Sequence, residues 1–75
     1  MTNQVVRLNY PSTLLHVPII NQLIKQYDLT VNIMRAQIDN DQGWIELQLA
    51  GPIQTIDEAV EWLQLQGIKV NFLKE

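Results

Sequence analysis

An α+β domain, one four-stranded antiparallel sheet with two helices on a single face, follows from three features of the sequence. Residues 29–38 and 43–50 alternate apolar and polar side chains and are separated by turn residues, which reads as a β-hairpin. A shorter alternating run lies near each end of the chain. Between these runs and the hairpin, apolar residues recur twice at helical spacing. The order is therefore β-α-β-β-α-β.

The first strand is Gln4 to Tyr10, with Val6, Leu8 and Tyr10 on one face and Val5, Arg7 and Asn9 on the other. Pro11-Ser12-Thr13 ends it, since proline cannot donate to a ladder and hydroxyl side chains favour turns. Pro18 suits the first turn of a helix, where its missing N–H is not needed. Ile20, Leu23, Ile24 and Tyr27 then follow i, i+3, i+4 and i+7, predicting the buried stripe of that helix. In the hairpin, Leu29, Val31 and Ile33 carry the apolar phase, which then slips to Met34, Ala36 and Ile38. A slip of one would turn every later side chain to the wrong face, so a β-bulge around Ile33–Met34 is expected. Asn40-Asp41-Gln42-Gly43 supplies the turn, with Gly43 read as the residue able to take a positive φ. The return strand puts Ile45, Leu47 and Leu49 on one face and Trp44, Glu46 and Gln48 on the other.

Gly51-Pro52 punctuates the chain. Thr55-Ile56-Asp57-Glu58 matches a capping box with Thr55 as N-cap, which would place Asp57, Glu58 and Glu61 near the positive end of the helix dipole. Ile56, Ala59, Val60 and Leu63 form the second core stripe, with Trp62 on its flank and Gly67 at C′. The last strand is Ile68 to Phe72, with 68, 70 and 72 inward. Right-handed crossovers turn this order into a ferredoxin-like plait, with the first and third strands central and the second and fourth at the edges. The sheet face away from the helices then carries Val5, Arg7, Asn9, Trp44, Glu46, Gln48, Lys69, Asn71 and Leu73. An exposed tryptophan on that face and a long second edge strand with little charge both predict a homodimer.

Composition narrows the function classes. Seventy-five residues make one domain, and 47% hydrophobic residues suit a folded one. No cysteine is present, which removes disulfides, thiolate metal sites and cysteine nucleophiles. The net charge of −3, with Arg7, Lys25, Arg35, Lys69 and Lys74 scattered along the chain, argues against nucleic acid. No apolar run approaches a bilayer span and the N-terminus has no signal-peptide pattern, so no membrane insertion is expected and the expected location is cytoplasmic. The single histidine, His16, completes neither a metal site nor a triad, and the acids near the turn lack calcium-loop spacing. No catalytic residue, metal or cofactor is assigned.

Several stretches taken in order resemble the NIL domain family. They are Val6-Arg7-Leu8-Asn9-Tyr10, an apolar helix entered through proline, Leu29-Thr30-Val31-Asn32-Ile33-Met34, the hairpin with Gly43, and Leu49-Ala50-Gly51. Ala59-Val60-Glu61-Trp62-Leu63 and Gly67-Ile68-Lys69-Val70 complete the pattern. The family takes its name from an Asn-Ile-Leu motif, here Asn32-Ile33-Met34 with Met34 departing from leucine. The resemblance runs from about Val5 to Leu73. It implies a regulatory domain of the kind found at the C-terminus of methionine-importer ATPase subunits, pairing as a dimer and binding methionine, or one serving sulfur metabolism beside ferredoxin-type proteins. Gating of transport would then need a separate ATPase partner, and the hairpin turn is short for an importer domain.

On that resemblance, Asn32 is the ligand-binding candidate. Ile33, Met34 and Ala36 would cover an apolar side chain and Arg35 would meet a carboxylate. Val31, Asn32 and Trp44 are the dimer-interface candidates. The expected function is a sensor that dimerises and binds a sulfur amino acid such as methionine. The alternative is a ligand-free interaction module for a transporter ATPase or a ferredoxin-type protein.

Overall fold

The computed structural model describes residues 2–39 and 41–73. The elements are β1 (Thr2–Tyr10), α1 (Ile19–Gln26), β2 (Thr30–Ile38), β3 (Gly43–Gly51), α2 (Ile53–Leu65) and β4 (Lys69–Leu73), with a single 3₁₀ turn at Ser12–Leu14. The sheet order is β2-β3-β1-β4, and all three pairings are antiparallel. This is the expected plait, with β1 and β3 central. Its core takes Val6 and Leu8 from β1, Leu47 and Leu49 from β3, Ile19 and Leu23 from α1, and Ile56, Ala59, Val60 and Leu63 from α2. The strand contributions come from one face only, so both helices share that face.

The bulge lies where the phase slip put it. Ile33 pairs with Leu47, but Arg35, not Met34, pairs with Glu46. Met34 is the extra residue, and it returns Ala36 and Ile38 to the helix side opposite Ile45 and Gly43.

Four local expectations are corrected. The buried positions of α1 are Ile19 and Leu23, while Ile20 is half-buried and Ile24 is exposed. The helix starts after Pro18 and turns its Ile19–Leu23 face to the core, which carries Ile24, the next residue round the helix, out to solvent; Tyr27 already has an extended backbone and still packs against the core. Helix α2 begins at Ile53, not after Thr55. Pro52 has φ −61° and ψ 139°, its carbonyl accepts from Ile56 N–H at 3.0 Å, and no side chain among the described residues caps the end. Proline's fixed φ starts the helix three residues early and leaves Thr55 inside it. Phe72 sits on the helix side opposite Val6, yet 53% of it is exposed, because β4 is an edge. Gly43 does not take a positive φ. It leaves room for its neighbours, since a Cβ there would come within 2.9 Å of Leu15 Cδ2 and 3.2 Å of Ile38 Cγ1 and both side chains would have to shift.

The turn is closed by Asp39 instead. Its Oδ1 accepts from the N–H groups of Asp41 (3.0 Å) and Gln42 (2.9 Å), holding the Asp39 carboxyl below its usual range. Asn40, read as part of the turn, lies outside the described residues. Gly67 does act as the C′ residue of α2, at φ +100°. Ile68 N–H reaches Leu63 O at 3.2 Å and Gly67 N–H reaches Gln64 O at 3.0 Å, the paired bonds of a Schellman motif.

Candidate functional site at the second strand

Strand β2 pairs with β3 on one side only, so the backbone groups of its outer rim have no strand partner among the described residues. Every residue from Thr30 to Ile38 is exposed except Val31, which is half-buried against the core. The bulge concentrates apolar surface on this edge: Ile33 is 56% exposed and Met34 52%. Asn32 lies on the open face, opposite Gln48 of β3, in the same cross-strand row as Val5 and Leu73. The motif residues Asn32, Ile33 and Met34 are thus adjacent on the edge, with Asn32 on one side of the sheet and Ile33 on the other.

The next row along the open face is charged. Arg35 of β2, Glu46 of β3 and Arg7 of β1 are aligned by register. Arg35 Nε donates to Glu46 Oε1 at 2.7 Å, and Arg7 Nη1 lies 4.0 Å from Glu46 Oε2. The Glu46 side chain is only 7% exposed. The hydrogen bond from Arg35, with the charges of Arg35 and Arg7, holds its carboxyl below the usual range against the opposing effect of burial. Arg7 stacks over Trp44, its guanidinium carbon 4.1 Å from the ring centroid, and Arg35 is 5.8 Å from the same ring. Arg7 Nε is buried without a hydrogen-bond partner among the described residues. The cluster ties the edge strand to both central strands and locks the register beyond the bulge.

These positions resolve the sequence candidates into two groups. Asn32 to Ala36 form a continuous stretch of edge. Arg35 is committed to Glu46, although 70% of its side chain remains exposed. Val31 faces the helices while Trp44 lies on the open face, half-buried, beyond the charged row and paired with Gln37. Val31, Asn32 and Trp44 are therefore not one patch of a single chain. The role of Glu46 was missed by pattern reading, yet its signal was present: alternation places Arg7, Glu46 and Arg35 on the same face. An apolar cleft of about 150 Å³ lies farther along β2, where Ile38 and Ile45 meet Tyr10, Leu15, Ile19 and Ile20. Burial there pushes the Tyr10 phenol up to about 12. None of residues 31–36 lines that cleft. Among the described residues no helix is long and apolar enough to cross a membrane.

Comparison with known proteins places the chain. Residues 4–71 match the NIL domain. The chain belongs to the NIL domain family. It is 31% identical over 62 residues to the methionine import ATP-binding protein MetN of Helicobacter hepaticus, covering 77% of this chain and 18% of that one. With MetN 2 of Acinetobacter baylyi it shares 30% over 73 residues, 92% of this chain and 21% of the relative. The NIL chain thus spans about a fifth of the length of these relatives. An uncharacterized protein of Synechocystis sp. is 34% identical over 65 residues, 84% of this chain and 67% of that protein. Among solved structures, the C-terminal domain of an ABC transporter ATP-binding protein from Enterococcus faecalis superposes with a TM-score of 0.83 at 25% identity. That match covers 96% of this chain and 84% of the other.

Proposed function

We propose that this NIL domain is a regulatory module that pairs with a second copy along β2 and holds a sulfur amino acid, methionine foremost, at the bulge. The observation that carries this reading is the edge itself, which combines backbone without a strand partner among the described residues, a motif asparagine and apolar Ile33 and Met34 beside it. Free edges of this kind are ordinarily covered, and a second copy is the simplest cover. Asn32 would bond the polar end of the ligand while Ile33, Met34 and Ala36 cover its thioether. The exposed side of Arg35 is within reach of a carboxylate. A ligand held between two chains favours one dimer arrangement, which a partner then senses through ordinary linkage. Relatives named as methionine import ATP-binding proteins support a transporter ATPase as that partner and a cytoplasmic setting.

None of residues 31–36 lines the apolar cleft beside Ile38 and Ile45, which favours a second reading in which the edge is a ligand-free docking surface. An amide-resolved NMR titration with L-methionine, with L-alanine as control, separates the two. Saturable shifts centred on Asn32 to Ala36, lost in Asn32→Ala, are expected of the sensor. If no shifts arise at millimolar methionine while light scattering still finds a dimer, the ligand is wrong and the docking reading stands. A monomer that shows no shifts removes the paired sensor.

A further inference from the structure

We propose that the cleft between the end of α1 and the outer side of α2 docks an arginine side chain on a basic segment of a partner protein. This cleft, about 260 Å³, is lined by Tyr27, Glu58, Glu61, Trp62 and Leu65. Tyr27 and Trp62 meet edge to face with ring centroids 6.3 Å apart, and both are half-buried. Glu58 and Glu61 stand exposed at the rim.

The start of α2 does not account for these acids. Because α2 begins at Ile53, its first turn contains no acidic residue, and Asp57, Glu58 and Glu61 lie beyond the reach of the helix dipole's positive end. The helix carries no Lys or Arg to offset them. Asp57 and Glu61 are a like-charged i, i+4 pair and Glu58 and Glu61 an i, i+3 pair, both mildly destabilising. Among the described residues, every salt bridge involves Glu46 and none involves these acids. Unfavourable charge beside an aromatic floor complements a cation that stacks on indole while its N–H groups meet carboxylates. The planar guanidinium does both.

A protein segment, rather than a free small molecule, fits the shape. The cleft, at about 260 Å³, lies at the low end of the range of about 300–1,000 Å³ for small-molecule sites and is open to solvent, so a side chain presented from a neighbouring surface can enter it. Leu65, 77% exposed at the rim, offers apolar contact to the residues flanking the arginine. The surface belongs to the helical layer, and the proposal does not depend on how β2 pairs.

The test is an NMR titration of the whole chain with a blocked pentapeptide carrying one arginine between leucines, followed at the Trp62 indole N–H and at the amides of Tyr27, Glu58, Glu61 and Leu65. Saturable shifts confined to these residues are expected. Affinity should fall at least tenfold when citrulline replaces arginine, and by a similar factor in the Glu58→Gln/Glu61→Gln double variant, whose spectrum elsewhere should be unchanged. Equal binding of the citrulline peptide overturns the proposal, as does unaltered binding to the double variant. Shifts that spread equally to Asp39 and Asp41 overturn it as general attraction to acids. Equal binding of free spermidine overturns the protein-segment occupant in favour of a small polycation. Ile33→Lys, which disrupts pairing along β2, should leave the titration as it was.

Discussion

Leu47 and Ile33 face each other across the β3–β2 pairing, yet their environments differ sharply: Leu47 is fully buried and Ile33 is 56% exposed. Truncating each to alanine tests whether β2 is a free edge. At about 0.8 kcal/mol per buried methylene, the carbons lost in Leu47→Ala are worth roughly 2.5 kcal/mol before the cavity is counted. Adding the cavity brings the cost to about 3–5 kcal/mol. At about 0.05–0.15 kcal/mol per residue, a domain of 75 residues holds roughly 4–11 kcal/mol in total. Leu47→Ala therefore removes a large part of its stability. Ile33→Ala loses less than half as much buried surface and no enclosed cavity forms, so about 1 kcal/mol is expected for the monomer. Urea unfolding followed by tryptophan fluorescence measures both. If the edge pairs between copies, wild-type stability rises by about 1.4 kcal/mol per tenfold concentration above the dissociation constant, and Ile33→Ala forfeits part of that gain. The penalty of Ile33→Ala should thus grow between 1 and about 100 µM protein, while that of Leu47→Ala appears in full at both concentrations. An Ile33→Ala penalty equal to that of Leu47→Ala at 1 µM would refute the free edge. A penalty independent of concentration would refute pairing through Ile33.

Glu46 has its carboxyl depressed in the fold, so its contribution is present above the ordinary glutamate value of 4.5 and is lost as pH falls through the lower folded value. The melting temperatures of wild type and Glu46→Gln should accordingly differ at pH 7 and converge below pH 4; parallel curves throughout would show that the ion cluster contributes nothing. Tyr10 behaves in the opposite sense. Its raised value means that stability is fully present below pH 10 and declines as pH rises toward about 12, a loss that Tyr10→Phe should abolish in alkaline melts. Gly67→Ala places a Cβ at φ +100° in ordinary contact with Leu14 Cδ1 at 3.8 Å, so strain alone should cost about 1–2 kcal/mol in urea unfolding; a neutral change would mean that the C′ geometry relaxes freely.

Much of the fold was legible because it rests on local periodicity. Val6, Leu8 and Tyr10, then Leu47 and Leu49, then Ile56, Ala59 and Leu63, all announce their buried faces by spacing alone. The phase slip at Met34 located the bulge, since a strand has only two faces and an extra residue is the cheapest way to stay on one. Gly67 marked the end of α2 because few other residues tolerate its backbone. The motif asparagine could be placed on the second strand, and the open face could be enumerated, before any coordinates.

Where elements begin, and what side chains do across strands, depended on tertiary structure. The capping-box pattern at Thr55 lost to Pro52, which fixed the helix start from outside the box. Of the apparent stripe only Ile24 fell outside the core, because α1 settles on the sheet through Ile19 and Leu23 and turns the next residue outward. Gly43 proved to be a matter of space, decided by Leu15 arriving from a distant turn. The Arg35–Glu46–Arg7 row requires the register of three strands at once, and the Tyr27–Trp62 cleft requires the end of α1 to meet α2. By itself the sequence determined faces, because periodicity is a property of neighbours along the chain. Only the tertiary structure decided sites, because a site is made of residues that the chain brings together from afar.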